Sequence, residues 1–138
     1  MKKKRYVFDS FAIIAFYENE SGADQVQAAL EECIRKEAEG WMSVINWGEV
    51  FYAVAKLKGW EYACAVVSRL ESYPLVFVEA DKSLTWEAAK LKAKYPIAYA
   101  DCFALALAKL KKAALLTGDP EFRKTREEVE LIWLKDES

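Results

Sequence analysis

The hydrophobic positions of this chain follow two periods, one typical of buried strands and one typical of amphipathic helices. The first apolar run, Tyr6-Val7-Phe8, has the aromatic and β-branched side chains that favour a short buried strand. Asp9 and Ser10 interrupt it, and the apolar segment that follows predicts a helix. The continuous apolar run 75–78 is typical of a strand buried in a parallel sheet.

The same patterns along the rest of the chain predict alternating strands and helices. Helices are expected over 21–39, started by Ser21 and closed by Gly40, and over 45–58, 60–72, 81–94 and 100–112. Further strands are expected at 41–44, 113–116 and 130–134, with a short helix before the last one. This alternation indicates a parallel sheet with helices on both faces. We therefore expect a single α/β domain over 1–138.

The composition then restricts the chemistry that the chain can perform. It contains no histidine, which excludes Ser-His-Asp and Cys-His nucleophile systems and every histidine-ligated metal site. Its five glycines form neither a GxGxxG nor a P-loop pattern. Any catalysis must therefore depend on carboxylates, and carboxylates recruit hard cations such as Mg²⁺ or Mn²⁺.

Charge and hydropathy bear on partners and location. A net charge of −2 argues against a broad nucleic-acid-binding surface, but it allows a site where a divalent cation bridges protein and phosphate. No apolar run approaches the roughly 18 residues of a membrane span, and Asp9 soon breaks the run after the basic start. We expect a cytoplasmic protein with no membrane contact. Cys33, Cys64 and Cys102 are expected to be reduced core thiols.

Three of the six aspartates are predicted at comparable places in the fold. Asp9 ends the first strand, Asp119 ends the fourth, and Asp101 opens the apolar helix that leads into the fourth. Each also has a purely structural explanation. Asp9 can cap a helix, Asp119 precedes a proline suited to the first helical position, and Asp101 suits the positive end of a helix dipole.

Glu49 is the fourth candidate and lies in the middle of a predicted helix. It shares a face with Asn46, three residues earlier. Gly48 beside it costs about 1 kcal/mol of helix stability relative to alanine, which indicates close approach of another group to the backbone. The alternative is that Glu49 is a solvated surface residue.

If these carboxylates converge at one edge of the sheet, they repel one another unless a cation neutralises them. Convergence therefore indicates a divalent metal site. The reaction class that such sites favour is in-line hydrolysis of phosphodiesters, for which no histidine is required.

Together these motifs resemble the PIN domain, and more narrowly the VapC-type toxin ribonucleases of prokaryotes. The residues that carry the resemblance are Asp9-Ser10, Glu49, Ala100-Asp101 and Thr117-Gly118-Asp119-Pro120-Glu121-Phe122. The likeness extends over essentially the whole chain. It implies a three-layer α/β/α fold with a central, mostly parallel sheet of about four to five strands.

The resemblance also implies an activity and partners. Members of the family are Mg²⁺- or Mn²⁺-dependent endoribonucleases, usually dimers, and the toxins among them are held inactive by an antitoxin. The implied acidic quartet is Asp9, Glu49, Asp101 and Asp119, with Thr117 as a supporting hydroxyl and with Ser10 and Asn46 as weaker candidates. A housekeeping RNA-processing nuclease would share these residues.

On this basis we predict how the metal and the RNA are held. Asp9, Asp101 and Glu49 hold the principal metal directly or through water, and Asp119 completes the site or holds a second ion. The RNA backbone is drawn in by the cation and by basic residues at the rim, for which the candidates are Lys56, Lys58, Arg123, Lys124 and Arg126.

The sequence also allows comparison with three other classes of protein. A haloacid-dehalogenase phosphatase needs a second aspartate where Phe11 stands, and a receiver domain needs one where the third strand ends, at Val78-Glu79. The stronger alternative is a protein-binding module without turnover. Its groove or partner surface would use aromatic residues that the sequence crowds into one region, most of them expected in the core: Trp41, Trp47, Phe51, Trp60 and Tyr62.

Overall fold

A pair of helices follows each of the first three strands. The structure, a computed structural model, describes residues 3–134. The strands are β1 (Lys4–Phe8), β2 (Ala38–Ser43), β3 (Leu75–Val78), β4 (Ala114–Thr117) and β5 (Leu131–Trp133). The helices are α1 (Ser10–Tyr17), α2 (Ala23–Ile34), α3 (Val44–Lys58), α4 (Trp60–Glu71), α5 (Lys82–Lys94) and α6 (Tyr99–Lys111). A 3-10 helix, Pro120–Thr125, connects β4 to β5.

All four strand pairings are parallel, and the strand order is β3-β2-β1-β4-β5. The chain therefore builds the sheet outward from β1 in one direction and then returns to add β4 and β5 on the other side. Ligands in open parallel sheets bind at such a reversal, outside the carboxyl ends of the two strands that flank it. Here that crevice lies between β1 and β4.

Alternating side chains of the strands supply two separate cores. Tyr6 and Phe8 of β1 pack with apolar residues of α1 to α4 on one face of the sheet. Val7, between them, packs with α5 and α6 on the other face. The predicted three-layer α/β/α architecture and its parallel sheet are confirmed, with five strands.

The second predicted helix was placed wrongly at both ends. α2 begins after Gly22, which has φ +91°, and it ends at Ile34 instead of Glu39. Gly40 lies within β2 and does not close the helix. A Cβ atom at Gly40 would lie 2.6 Å from Cδ2 of Leu75. This glycine therefore allows close packing around β2, a long-range requirement that the local pattern does not show.

Two further expectations about burial were wrong, and the close approach expected at Gly48 is not made by any described residue. β3 is an edge strand, and Val76 is 57% exposed because nothing continues the sheet beyond it. Cys64 is exposed, whereas Cys33 and Cys102 are buried as expected. No described residue approaches within 4 Å of a Cβ atom built at Gly48, so nothing in residues 3–134 packs closely there.

The predicted crowding of aromatic residues is also wrong in part. Trp41 belongs to the core on the α5 and α6 side, whereas Trp47 and Phe51 pack on the opposite face of the sheet. Trp60 contacts Phe51 edge to face at 4.9 Å but is 70% exposed. The sheet separates residues that lie close together in the sequence.

Among residues 3–134, every helix is too short or too polar to cross a membrane.

The two glycines at positions 22 and 48 predict opposite effects of alanine. Gly22→Ala forces a side chain into a left-handed conformation and places its Cβ 2.2 Å from the carbonyl oxygen of Leu134. We expect a loss of more than about 1 kcal/mol in the free energy of unfolding. Gly48→Ala meets no neighbour and removes a flexible residue from α3, so a gain of about 0.5–1 kcal/mol is expected. Urea denaturation of both variants measures the difference, and equal effects would contradict it.

Candidate active site

Four elements direct acidic side chains to the crevice between β1 and β4. Asp9 directly follows β1, and Asp119 lies two residues beyond the end of β4. α3 begins directly after β2, so Glu49 lies within its first two turns at the same edge of the sheet. α6 runs back toward the start of β4, so Asp101 in its first turn is at that edge too.

Asp9 is a buried carboxylate that also caps a helix. It is 2% exposed, and its Oδ1 accepts the backbone N–H of Ala12 at 2.8 Å. Burial raises the pKa of Asp9 to about 7, although hydrogen bonds from the Thr117 side chain and from Ala12 act to lower it. The charges of Asp119 and Glu49 raise it further. Asp9 thus lies close enough to both acids to feel their charge.

Asp101, Asp119 and Glu121 form the tightest group of acids. One carboxylate oxygen from each lies within 4.8 Å of one from each of the other two, a separation that suits a shared cation. Asp119 caps the 3-10 helix by accepting the N–H of Glu121 at 3.0 Å, which brings the Glu121 side chain beside it. In residues 3–134, no such group of three includes Asp9 or Glu49.

Glu121 is therefore a candidate site residue that the sequence analysis did not single out. It stands inside the motif 117–122 that carried the family resemblance, two residues after Asp119. Its position directly after the cap and the proline was the available signal, because a short helix that starts there keeps neighbouring side chains close.

Glu49 is held by hydrogen bonds from three side chains. Its Oε1 accepts from Ser10 Oγ at 3.0 Å and from Asn46 Nδ2 at 2.9 Å. Its Oε2 lies 3.4 Å from the hydroxyl of Tyr52. Glu49 is half-buried rather than fully exposed, and both Ser10 and Asn46 contact this candidate ligand.

Thr117 is fully buried at the end of β4 and connects two of the acids. Its Oγ1 accepts the backbone N–H of Asp119 at 3.2 Å, and its side chain hydrogen-bonds Asp9. A hydroxyl can donate one hydrogen bond and accept others, so it suits a position between a carboxylate and an N–H group.

The charge around Asp101 is almost entirely negative. Burial raises the pKa of Asp101 to about 8, and the charges of Asp119, Asp9, Glu49 and Glu121 raise it further. Among residues 3–134, no lysine or arginine forms a salt bridge with Asp9, Glu49 or Asp101. Within the described part of the chain, no direct salt bridge therefore offsets the negative charge of Asp9, Glu49 and Asp101.

The predicted basic rim is only partly placed near these acids. Lys56 lies over the ring of Tyr52, 5.6 Å from its centroid, and so stands beside the Glu49 hydrogen bonds. Lys58 is bound to Glu18 at 2.7 Å, and Arg123 lies over Trp133 at 4.9 Å. Lys56 is thus a rim candidate that contacts Tyr52, a hydrogen-bond partner of Glu49.

The donor set suits a hard divalent cation. Every available ligand is an oxygen, and buried like charges are expensive unless a cation or protons neutralise them. Asn46, fully buried beside Glu49, also has an Oδ1 atom that receives no hydrogen bond within the described residues. A polar acceptor that is buried in this way is consistent with a hydrated ion in the crevice.

Comparison with known proteins identifies the family. The model of the PIN domain matches residues 6–128, and the chain belongs to the PIN domain family. No curated protein sequence matches the chain significantly.

Solved structures of toxin–antitoxin proteins share this fold. A chain of VapBC2 from Rickettsia felis, bound to a DNA fragment from its promoter, superposes with a TM-score of 0.73 at 19% identity, covering 93% of this chain and 97% of that one. For DNA-bound VapBC from Salmonella typhimurium the TM-score is 0.71 at 15% identity, with 94% and 97% covered. For VapC20 of Mycobacterium tuberculosis, a toxin that cleaves the sarcin-ricin loop, it is 0.68 at 14% identity, with 88% and 95% covered.

The raised pKa of Asp101 predicts how stability depends on pH without metal. Between the ordinary value of 3.8 and about 8, the folded state binds more protons than the unfolded state. This residue therefore makes the protein progressively less stable as pH rises through that window. The free energy of unfolding of Asp101→Asn, relative to the wild type, should increase from pH 5 to pH 8. Denaturation in EDTA at several pH values measures it, and a difference that does not change with pH would contradict the argument.

Proposed function

We propose that this PIN-domain protein is a divalent-metal-dependent endoribonuclease that hydrolyses RNA phosphodiesters. The observation that carries the proposal is the approach of the Asp101, Asp119 and Glu121 carboxylate oxygens to within 4.8 Å of one another. A parallel sheet places ligands at this crevice, and carboxylate-held metals are well suited to phosphodiester hydrolysis.

Asp9, Glu49, Asp101 and Asp119 are the proposed ligands for Mg²⁺ or Mn²⁺, with Glu121 as an addition. Such an ion supplies Lewis-acid activation of water and neutralises charge that develops on the phosphate. Asp101 lies on α6 and Glu121 lies on the 3-10 helix, so these two carboxylates come close to each other only in the folded chain. Thr117 contributes by restraining Asp9 and the backbone of Asp119.

The protein is further proposed to be the toxin of a toxin–antitoxin pair that acts in the cytoplasm as a homodimer. Family membership and the likeness of the fold to VapBC chains from several bacteria support this assignment. The antitoxin would be a small protein encoded with it, and the substrate would be a cellular RNA. Cleavage by VapC20 of the sarcin-ricin loop makes structured RNA a reasonable first substrate to assay.

Removal of the carboxyl charge of Asp101 should strongly weaken both metal binding and cleavage. We expect Asp101→Asn to lower the rate of RNA cleavage by roughly 100-fold or more, because metal activation contributes several kcal/mol to such reactions. Mn²⁺ affinity, measured by calorimetry, should fall in parallel. Glu121→Gln should weaken Mn²⁺ binding less, because Glu121 is the exposed member of the group.

Asp81→Asn is the matched control. Asp81 also caps a helix, accepting the N–H of Leu84 at 2.8 Å, but it is exposed and belongs to α5. This variant should cleave RNA and bind Mn²⁺ as the wild type does. If the wild type neither binds millimolar Mn²⁺ or Mg²⁺ nor cleaves RNA, the nuclease proposal is wrong. A protein-binding module then becomes the better explanation of the fold.

At neutral pH, binding of the metal should also release protons. Asp9 and Asp101 have pKa values near 7 and 8, so both are partly protonated before a cation binds. Calorimetric titrations with Mn²⁺ at pH 7, in buffers of different ionisation enthalpy, should therefore give different apparent enthalpies. The dependence on buffer should weaken at pH 9, where both groups are ionised. Identical enthalpies in all buffers at pH 7 would show that these acids are not neutralised by the ion.

A further inference from the structure

The geometry points to Asn46 as a positioning residue that sets the orientation of Glu49 relative to Asp101. This inference rests on the proposed function, because it concerns how the acidic site is prepared for a metal. Glu49 is a flexible side chain on α3, whereas Asp101 lies on α6. Ordering a glutamate side chain costs up to about 2 kcal/mol of conformational entropy, so a ligand of this kind benefits from being fixed in advance.

The amide group of Asn46 connects the two helices directly. Asn46 is fully buried, and its Nδ2 donates to Glu49 Oε1 at 2.9 Å and to the carbonyl oxygen of Ala100 at 3.2 Å. Ala100 is the residue before Asp101. One side chain thus ties the Glu49 carboxylate to the backbone that carries the neighbouring acid.

The chemistry of the partners determines which way this amide faces. A glutamate carboxylate and a backbone carbonyl only accept hydrogen bonds, and an asparagine offers two N–H donors from one nitrogen. If the amide were turned over, its oxygen would face two acceptors and both contacts would become repulsive. The nitrogen therefore faces Glu49 and Ala100, and the connection depends on its N–H groups.

Ser10, the first residue of α1, completes the arrangement. Its hydroxyl donates to the same Glu49 Oε1 at 3.0 Å, and Ser10 directly follows Asp9. Oε1 thus accepts from Ser10, the neighbour of Asp9 in the chain, and from Asn46, which hydrogen-bonds the residue before Asp101. Among the described residues, the one hydrogen bond to Oε2 is the long 3.4 Å contact with Tyr52, so Oε2 is the oxygen left to face a cation or its hydration shell.

The inference predicts how two changes at position 46 affect metal affinity. Asn46→Ala removes the donors, and loss of a partner that orients a ligand typically weakens metal binding by about 10–100-fold. Asn46→Asp has almost the same shape but lacks the N–H groups and puts a carboxylate beside Glu49. It should weaken Mn²⁺ binding at least as much as alanine does. If Asn46→Asp keeps or improves the affinity, the residue acts as an oxygen ligand and the positioning role is wrong.

A double-mutant cycle separates positioning from a general effect on folding. In the Glu49→Gln background, where the carboxylate is absent, Asn46→Ala should change Mn²⁺ affinity by less than about threefold. Full additivity of the two substitutions would overturn the inference. Ser10→Ala, at a half-buried position that tolerates change better, should be non-additive with Glu49→Gln in the same way. It therefore keeps the test valid if Asn46→Ala does not fold.

The two proposals fail in different ways. If the wild type binds no Mn²⁺, the metal-dependent function fails, and the positioning role that rests on it fails with it. If the wild type binds Mn²⁺, Asp101→Asn strongly weakens binding and Asn46→Ala leaves affinity unchanged, only the positioning role fails. Thermal unfolding of each variant shows whether a loss of affinity accompanies a loss of folded protein.

Discussion

Repulsion between carboxylates is the constraint on which the rest of the site depends. The reversal of strand order at β1 brings Asp9 and Asp119 to adjacent strand ends, and α6 adds Asp101. Burial and like charge together raise the pKa of Asp9 and Asp101 far above that of an ordinary aspartate. Such a cluster is unfavourable for the isolated chain, and it is explained most simply by a site prepared for positive charge.

Glu128, an acid outside the crevice, is neutralised by other residues of the protein. Glu128 accepts hydrogen bonds from Lys94 and Lys109, each at 2.7 Å, and from Tyr95. These donors lower the pKa of Glu128 to about 2. Two lysines of the protein thus neutralise Glu128, whereas in residues 3–134 no lysine or arginine forms a salt bridge with Asp9, Glu49 or Asp101.

Capping and metal binding are not alternatives for the aspartates of this site. Asp9 and Asp119 each use Oδ1 to accept a backbone N–H, at the starts of α1 and the 3-10 helix. A carboxylate has two oxygens and several lone pairs, so the cap restrains the side chain while leaving acceptor capacity for an ion. The sequence left open whether these aspartates cap helices or bind a metal. One residue can do both.

The sequence by itself determined the order of strands and helices and the restriction to oxygen ligands, and it gave four candidate acids, because these depend on local periodicity and on residue type. Only the tertiary structure decided that Gly40 lies in a strand and that β3 is an edge, since both follow from contacts with distant residues. The same holds for Glu121 and Asn46. Their parts in the site depend on a short helix that brings Glu121 beside Asp119 and on a hydrogen bond from α3 to α6. The hydrogen bond from Asn46 to Ala100 is not encoded by spacing along the chain, because packing of α3 against α6 sets it. The contact of Glu121 with Asp119 is local, but its approach to Asp101 depends on where α6 packs.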